Sequence, residues 1–464
     1  VITLRFDQLV QMTGGKLRDG TMGERSFRGV SIDSRTVQKD QLFVALRGER
    51  TDGHRYIGQA LLKGASGVLA ESDFRGLNDI SKDAPVVSVP DSHAAMITLA
   101  KDYRSSVPAT RAGITGSNGK TTTKELAYQL LSAVERDVYR SPGNFNNLYG
   151  MPLALLSMPD TTKVAVLEMG ISTPGEMARL ADLVKPDIVL ITNVGATHLE
   201  FLETVEGVAR AKLEVVQTMS PEQPLIINAD DPVLIKEASH VRTNVVTFGI
   251  NESATYSVRG VEREDSGYLR AEIDGHQFRL PLFGGFQIYN LLAAYALVKE
   301  LGYSLDSVDT AALSLTSSPM RGESVSSRDV TFIVDCYNAN PDSVKVGLRS
   351  FGEMQAPSRR VVILGDMLEL GKSAERLHRE IGRVIADTTT DLVILVGPLS
   401  KSTAEEAVKA GLPGRQVLHF ETVAGAADRI ANLLYPGDLV YVKGSRGIGL
   451  EVIIQRWTSA EEGS

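Results

Sequence analysis

The chain has 464 residues, 43% of them hydrophobic and 23% charged, and a formal net charge of −8. That length is more than a single hydrophobic core usually supports, so two or three domains are expected, and the composition is that of a folded protein, not a disordered one. An acidic balance without a dense block of Lys and Arg argues against nucleic acid as a partner, and no apolar run reaches the roughly 18 residues that a membrane helix needs.

Up to about residue 84 the sequence alternates short strands, QLFVAL (41–46) and GVLA (67–70), with a helical stretch, YIGQALLKGA (56–65). This predicts a small α/β domain over residues 1–84. From residue 85 the pattern becomes strand, glycine turn, helix: RAGITG (111–116), KTTTKELAYQLLSAV (120–134), VAVLEMG (164–170), DIVLITNVG (187–195) and PLIINADDP (224–232). β-branched, nearly continuous apolar runs are those of strands buried on both faces, which predicts a parallel sheet covered by helices over residues 85–315. SLTSSPMRGES (314–324) has linker composition. A second series comes after it in VTFIVDCYNANP (330–341), RRVVILGDMLELG (359–371), DLVILVGPLS (391–400) and DLVYVKGSRG (438–447). It predicts a third, doubly wound α/β domain over residues 316–464. In open parallel sheets ligands bind beyond the carboxyl ends of the strands, so chemistry is expected where each run stops.

GITGSNGKTTT (113–123) sits between an apolar strand and a helix. Glycines let backbone N–H groups approach phosphate oxygens, Lys120 supplies a cation for the β- and γ-phosphates, and Thr121 offers a hydroxyl to magnesium at a helix N-terminus. The strict phosphate-loop pattern would place glycine at Ile114, so the match is to a variant built on Gly113, Gly116 and Gly119. VAVLEMG supplies Glu168 after a second apolar strand, where a phosphate-loop ATPase carries a metal-holding acid. TNVGATHLEF (192–201) brings His198 to the same sheet edge, either as a structural histidine or as a ligand. In TVEGVARAKLEVVQTM (204–219), predicted as one helix, Lys212 falls within an apolar stripe. Its amine either snorkels to water or is neutralised, by a lowered pKa or by taking up CO2 as a carbamate that offers oxygen to a metal.

GITGSNGKTTT, GNFNNLYGMP (143–152), LEMG, TNVGATHLEF, ARAKLE, PMRGE, DCYNANP, LGDMLELG and VKGSRG, in this order, together resemble the Mur ligase family, and DCYNANP and LGDMLELG resemble its D-alanyl-D-alanine-adding branch. The resemblance implies three domains: a small one for a uridine nucleotide, a central phosphate-loop ATPase domain, and a C-terminal domain of dinucleotide-binding (Rossmann-like) topology for the amino substrate. It implies ATP bound by Gly116, Ser117, Asn118, Gly119, Lys120, Thr121 and Thr122, with Asn290 at adenine and Arg321 and Asp335 reaching the nucleotide across the domain gap. Family members often have His and Asn before the position of Asn290, where this chain has Phe286 and Gln287. Two magnesium ions are implied, one held by Thr121 and Glu168, the other by His198 and a carbamylated Lys212, with Lys120, Lys212, His198 and Glu168 as the catalytic set.

SIDSRT (31–36) and RGERTDGH (47–54) resemble the uridine-diphosphate loops and point to Ser34, Arg35, Thr36 and Arg47, while Asn144 and Asn147 suit the region between the nucleotide sugar and the metal. Asn338 and Asn340 are placed to pair with a peptide bond, and Lys443 and Arg446 to hold a carboxylate. The implied substrates are UDP-N-acetylmuramoyl-tripeptide and D-alanyl-D-alanine. The implied reaction is ATP-dependent amide ligation through an acyl phosphate in peptidoglycan precursor synthesis. Another member of the family, adding a single amino acid, a phosphate-loop kinase, and a nucleotide-dependent binding module without synthetic activity are the alternatives. A lone cysteine, Cys336, and an N-terminus without signal-peptide character predict a cytoplasmic protein, with no membrane insertion and a monomeric state expected.

Overall fold

The structure, a computed structural model, describes residues 1–48, 51–250, 253–264, 269–316 and 318–459. Glu49 and Arg50 of RGERTDGH and Ser317 of the linker lie outside the described residues. No helix among the described residues is long and apolar enough to cross a membrane.

The first unit is built on a five-stranded sheet in the order Lys16–Leu17, Val86–Val89, Gly67–Glu71, Leu42–Val44, Val30–Ser31, parallel except for the first pair. Its sheet therefore runs past residue 84, where the sequence suggested a boundary. The apolar stretch Val86–Val89 has Val86, Val87 and Val89 buried, and Val68 N donates to Pro85 O at 2.9 Å, so this strand is tied to Gly67–Glu71 rather than to the central sheet.

Seven strands form the central sheet, all parallel, in the order Tyr256–Ser257, Val246–Gly249, Leu225–Asn228, Ile188–Ile191, Thr110–Thr115, Val164–Glu168, Val138–Arg140. Every residue of Ile188–Ile191, Val164–Glu168 and Leu225–Asn228 is buried, as expected of strands covered on both sides. Helices Lys120–Ser132 and Gln287–Glu300 share one apolar cluster on one face, and Ser92–Ser106, Gly150–Ser157, Glu176–Val184 and Val205–Leu213 contribute to a cluster on the other that continues into the first unit. Chain order reverses on either side of Thr110–Thr115, which makes the carboxyl end of that strand a topological switch point. The loop GSNGK leaves the sheet there.

The predicted helix 204–219 is α-helical only over Val205–Leu213 and tightens to a 3-10 turn over Glu214–Thr218. Glu214 there turns its carboxylate to Gly175 N at 2.9 Å, before the helix Glu176–Val184. A three-stranded antiparallel sheet, Gly260–Arg263, Leu269–Ile273 and His276–Leu280, was not foreseen; it lays Leu269, Ala271, Ile273, Phe278 and Leu280 on the central core.

The third unit has six strands in the order Glu323–Ser327, Val330–Val334, Leu439–Lys443, Arg360–Gly365, Leu392–Val396, Val417–Phe420; only the first pair is antiparallel. Separate apolar clusters lie on its two faces, so it is doubly wound as the sequence predicts.

Candidate active site

Two glycines shape the loop at the switch point. Gly116 has φ 146° and Gly119 φ 81°, and a Cβ on them would collide with the Thr192 hydroxyl and the Asn290 amide oxygen respectively. The loop is fastened to the end of the neighbouring strand: Thr192 Oγ1 donates to Asn118 O at 2.5 Å and Asn118 N donates to Asn193 Oδ1 at 2.9 Å. Lys120 Nζ donates to Gly116 O at 2.6 Å and Ser117 O at 3.3 Å, so its charge stays within the loop. Burial pushes its pKa down, Glu168 opposes that, and Arg321 adds to it. A helix N-terminus with free N–H groups and a lysine is a seat for a polyphosphate.

Glu168 is 2% exposed and held at both oxygens: Thr121 Oγ1 donates to Oε2 at 2.7 Å and Asn146 Nδ2 to Oε1 at 2.8 Å. His198 adopts a left-handed backbone, φ 52°, ahead of the short helix Leu199–Leu202. Its Nδ1 lies 2.8 Å from Glu369 Oε2 in the third unit, and Glu369, itself left-handed at φ 62°, is held below the usual carboxylate range by that contact. Lys212 is only 2% exposed, so it does not snorkel. Burial first, and the Lys120 cation second, push its pKa well below the ordinary lysine value.

Thr121, Glu168 and His198 line one cavity of about 670 Å³ with Ser117, Asn118, Gly119, Lys120 and Thr122 of the loop. Asn144, Asn147, Asn290, Arg321, Asp335, Asn338, Asn340, Lys443 and Arg446 line it too. Lys212 does not. Ser34, Arg35, Thr36 and Arg47 are away from it as well: Ser34 Oγ donates to Gln59 Oε1 at 2.8 Å, Arg35 pairs with Asp33 at 2.7 Å, Thr36 is exposed, and Arg47 pairs with Glu71 at 2.9 Å and with Asp73. Another cavity, of about 960 Å³, lies in the first unit among Arg25, His54, Leu61, Phe74 and Ile80. It holds none of the phosphate-loop chemistry.

Several side chains expected to face a ligand are engaged within the protein. Asn340 caps the helix Pro341–Gly352 through Ser343 N at 2.9 Å, and its Nδ2 donates to Asn118 Oδ1 of the phosphate loop at 2.6 Å. Asn338 Oδ1 accepts from Ala339 N at 2.9 Å. Lys443, 3% exposed, pairs with Asp335 at 2.7 Å and donates to Asn338 O at 3.2 Å, so it braces the DCYNANP turn. Tyr441 OH adds a bond to Asp335 at 3.1 Å. Arg446 is exposed and pairs with Glu451 at 2.6 Å. The Arg321 guanidinium stacks 4.0 Å from the Tyr337 ring centre. Asn290 accepts from Thr123 Oγ1 at 3.4 Å and donates to Gln287 Oε1 at 2.7 Å; Gln287 thus fixes the amide beside the loop.

The sequence did not single out Asn146, Lys124, Asn193, Asp342 or Glu369. Asn146, Asn193 and Glu369 lie within GNFNNLYG, TNVGATHLEF and LGDMLELG, so position in a motif was the available signal. Asp342 comes directly after DCYNANP and its Oδ2 accepts from Ala196 N at 3.0 Å. Asn340 to Asn118, Glu369 to His198 and the ion pair of Arg263 with Glu353 at 2.8 Å are further polar contacts between the third unit and the central one. The double variant Asn340→Ala/Glu369→Ala is expected to show a larger radius of gyration than the parent by solution scattering, and identical curves would mean that these contacts do not hold the units together.

Among the described residues no group of three or more His, Cys, Asp and Glu side chains converges as a metal cluster. An ion here would rely on the Thr121 hydroxyl, Glu168, His198 and oxygens from elsewhere.

Known protein families and structures share both the sequence and the fold. Residues 26–104 match the family model described as Mur ligase family, catalytic domain, residues 114–298 the Mur ligase middle domain, and residues 320–446 the Mur ligase, glutamate ligase domain. The chain is 34% identical to the UDP-N-acetylmuramoyl-tripeptide--D-alanyl-D-alanine ligase of Bacillus subtilis, over 96% of each chain, and 32% identical to the protein of the same name from Treponema pallidum, over 97% of each. Among solved structures, a crystal structure of MurF from Acinetobacter baumannii superposes with a TM-score of 0.86 at 25% identity, covering 99% of both chains. MurF ligase from Thermotoga maritima, solved in complex with ADP, gives a TM-score of 0.77 at 28% identity, covering 94% of this chain and 98% of that one.

Proposed function

The chain belongs to the Mur ligase family, and on that premise we propose that it is the ATP-dependent ligase that joins D-alanyl-D-alanine to a UDP-N-acetylmuramoyl-tripeptide in peptidoglycan precursor synthesis. The observation that carries this reading is a single cavity into which the phosphate loop, the acidic strand end at Glu168, the asparagine loop 143–147 and the YNAN turn all open.

The loop N–H groups and Lys120 hold the β- and γ-phosphates of ATP, which leaves the γ-phosphorus facing the cavity. The terminal carboxylate of the tripeptide attacks that phosphorus, the bond to the β-phosphate oxygen breaks, and an acyl phosphate and ADP result. The neutral amine of the dipeptide then attacks the acyl carbon. Phosphate leaves, and the amine gives up a proton. No protein nucleophile takes part: the residues hold two anions together and keep water out. Asn144 and Asn147, exposed into the cavity, offer amides to the nucleotide-linked substrate. Asn340, through Asn118, joins the turn that receives the amine to the loop that holds ATP, and Asp342 joins that turn to the neighbouring loop at Ala196.

Magnesium suits this place. Thr121 Oγ1 and the Glu168 carboxylate are hard oxygen donors already side by side, and His198 stands at the same edge. Lys212, whose pKa burial lowers, would add oxygen to this set only as a carbamate, formed when its amine takes up CO2 and loses a proton, reaching from just behind the cavity wall. The ions would offset the charge of the two anionic reactants. The first unit supplies the uridine-diphosphate contacts through Ser34, Arg35, Thr36 and Arg47. Burial pushes the Cys336 thiol up to about 12, which keeps it in the unreactive thiol form.

The test is analysis of products from ATP, UDP-linked tripeptide and D-alanyl-D-alanine. Expected are ADP, free phosphate and the amide in equal amounts, with phosphate release depending on both organic substrates. Pyrophosphate without ADP, or phosphate retained on an organic product as a kinase would leave it, overturns the reading. Efficient ligation of single amino acids and none of the dipeptide would move the chain to another branch of the family.

A further inference from the structure

Lys124 stands one turn beyond Lys120 on the helix Lys120–Ser132, and its side chain is fully buried. An ammonium has three protons and no acceptor. Here it donates to Ser141 O at 2.8 Å and Gly143 O at 3.1 Å, and lies 3.4 Å from Glu125 Oε1 and 3.8 Å from Glu168 Oε2. Enclosing a cation is costly, and an apolar side chain of like length would fill the same space without that cost. What the cation adds is two directed bonds to a segment without regular structure, residues 141–147.

That segment carries Asn144, Asn146 and Asn147 into the cavity. It is also tied to Glu168, since Glu168 N donates to Ser141 Oγ at 3.1 Å and Asn146 Nδ2 reaches Glu168 Oε1 at 2.8 Å. Thr121, three residues before Lys124 on the same helix face, takes the other oxygen of Glu168. Helix, acid and asparagine loop thus form one closed set of bonds, with Lys124 at the joint between helix and loop.

We propose that Lys124 is a positioning residue for the nucleotide-linked substrate: it sets the asparagine loop 141–147 against the phosphate-loop helix, so that Lys120 serves ATP while Lys124, one turn deeper, serves recognition of the other anionic substrate. This rests on the ligase reading above.

The experiment uses the full chain with Lys124→Met, which keeps length and removes the charge, and Lys124→Gln, which keeps a donor. The apparent KM for the UDP-linked tripeptide is expected to rise about tenfold or more in Lys124→Met and less in Lys124→Gln, as loss of a charged hydrogen bond implies. ATP affinity and the KM for the dipeptide should stay within about twofold. Unchanged KM for the tripeptide, an equal rise for all three substrates, or failure of both variants to fold would overturn the proposal. If the parent itself forms no amide, the ligase reading fails alone, and Lys124 is judged by hydrogen exchange. Exchange in segment 141–147 should then rise about tenfold in Lys124→Met with the helix Lys120–Ser132 unchanged, and no rise overturns the proposal.

Discussion

Lys212→Ala is expected to lower the ligase rate by at least ~100-fold, the scale of losing an essential electrostatic partner of the transition state. The reason lies in its surroundings: the amine is 2% exposed, and both burial and the Lys120 charge favour its neutral form. A residue kept merely as a cation would be badly placed there. Lys212→Arg keeps a charge but cannot take up CO2 or present oxygen, so it should be as inactive as the alanine variant. Small carboxylic acids should partly restore Lys212→Ala, because they return oxygen to the vacated space. Lys212→Met should unfold at the same or higher temperature than the parent, since it removes a buried group whose charged form is disfavoured. Substantial activity in Lys212→Arg would end the carbamate explanation, and a large loss of stability in Lys212→Met would make Lys212 a structural residue instead.

The buried parallel strands were legible because continuous apolar runs with glycine at their ends have few other interpretations, and the phosphate loop was legible because its chemistry is local. Gly116, Gly119, Lys120 and Thr121 lie within six residues. What escaped notice depends on partners remote in sequence. Nothing near Asn340 shows that its amide is bonded to Asn118, 222 residues away, and Lys443 reads as a free cation until Asp335 is found beside it. Lys124 looks like an exposed helix residue because its partners, Ser141 and Gly143, are backbone carbonyls that leave no mark in side-chain pattern. The small antiparallel sheet did carry a signal. Leu269–Ile273 alternates buried and outward positions, and the hairpin turns at Asp274 and Gly275, with φ 49° and 83°, the pairing that a type I′ turn favours. The misplaced first boundary has the opposite cause: Val86–Val89 has the composition of the central strands, and only its hydrogen bonds assign it to the first sheet.

Lys120→Met should reduce kcat/KM by roughly 10³-fold, or about 4 kcal/mol, with ATP cleavage and amide formation falling together. In this structure the Lys120 amine rests on the carbonyls of Gly116 and Ser117, at 2.6 and 3.3 Å, so the side chain is folded along the loop where a polyphosphate would lie. Turning from two carbonyls to phosphate oxygens exchanges neutral acceptors for charged ones, and the gain grows as negative charge moves during transfer. Burial pushes its pKa down while Glu168 pulls it back up, so removing Glu168 takes away the group that favours the charged form. Glu168→Gln should consequently weaken ATP turnover even at saturating magnesium, and combining it with Lys120→Met should cost less than the sum of the two, because both act on one phosphoryl group. Lys120→Arg is expected to fail as well, since the planar guanidinium is too broad for a loop closed by Thr192 and Asn290. Full additivity of the two substitutions would separate Glu168 from the phosphate chemistry, and retention of activity in Lys120→Met would remove the loop from the reaction altogether.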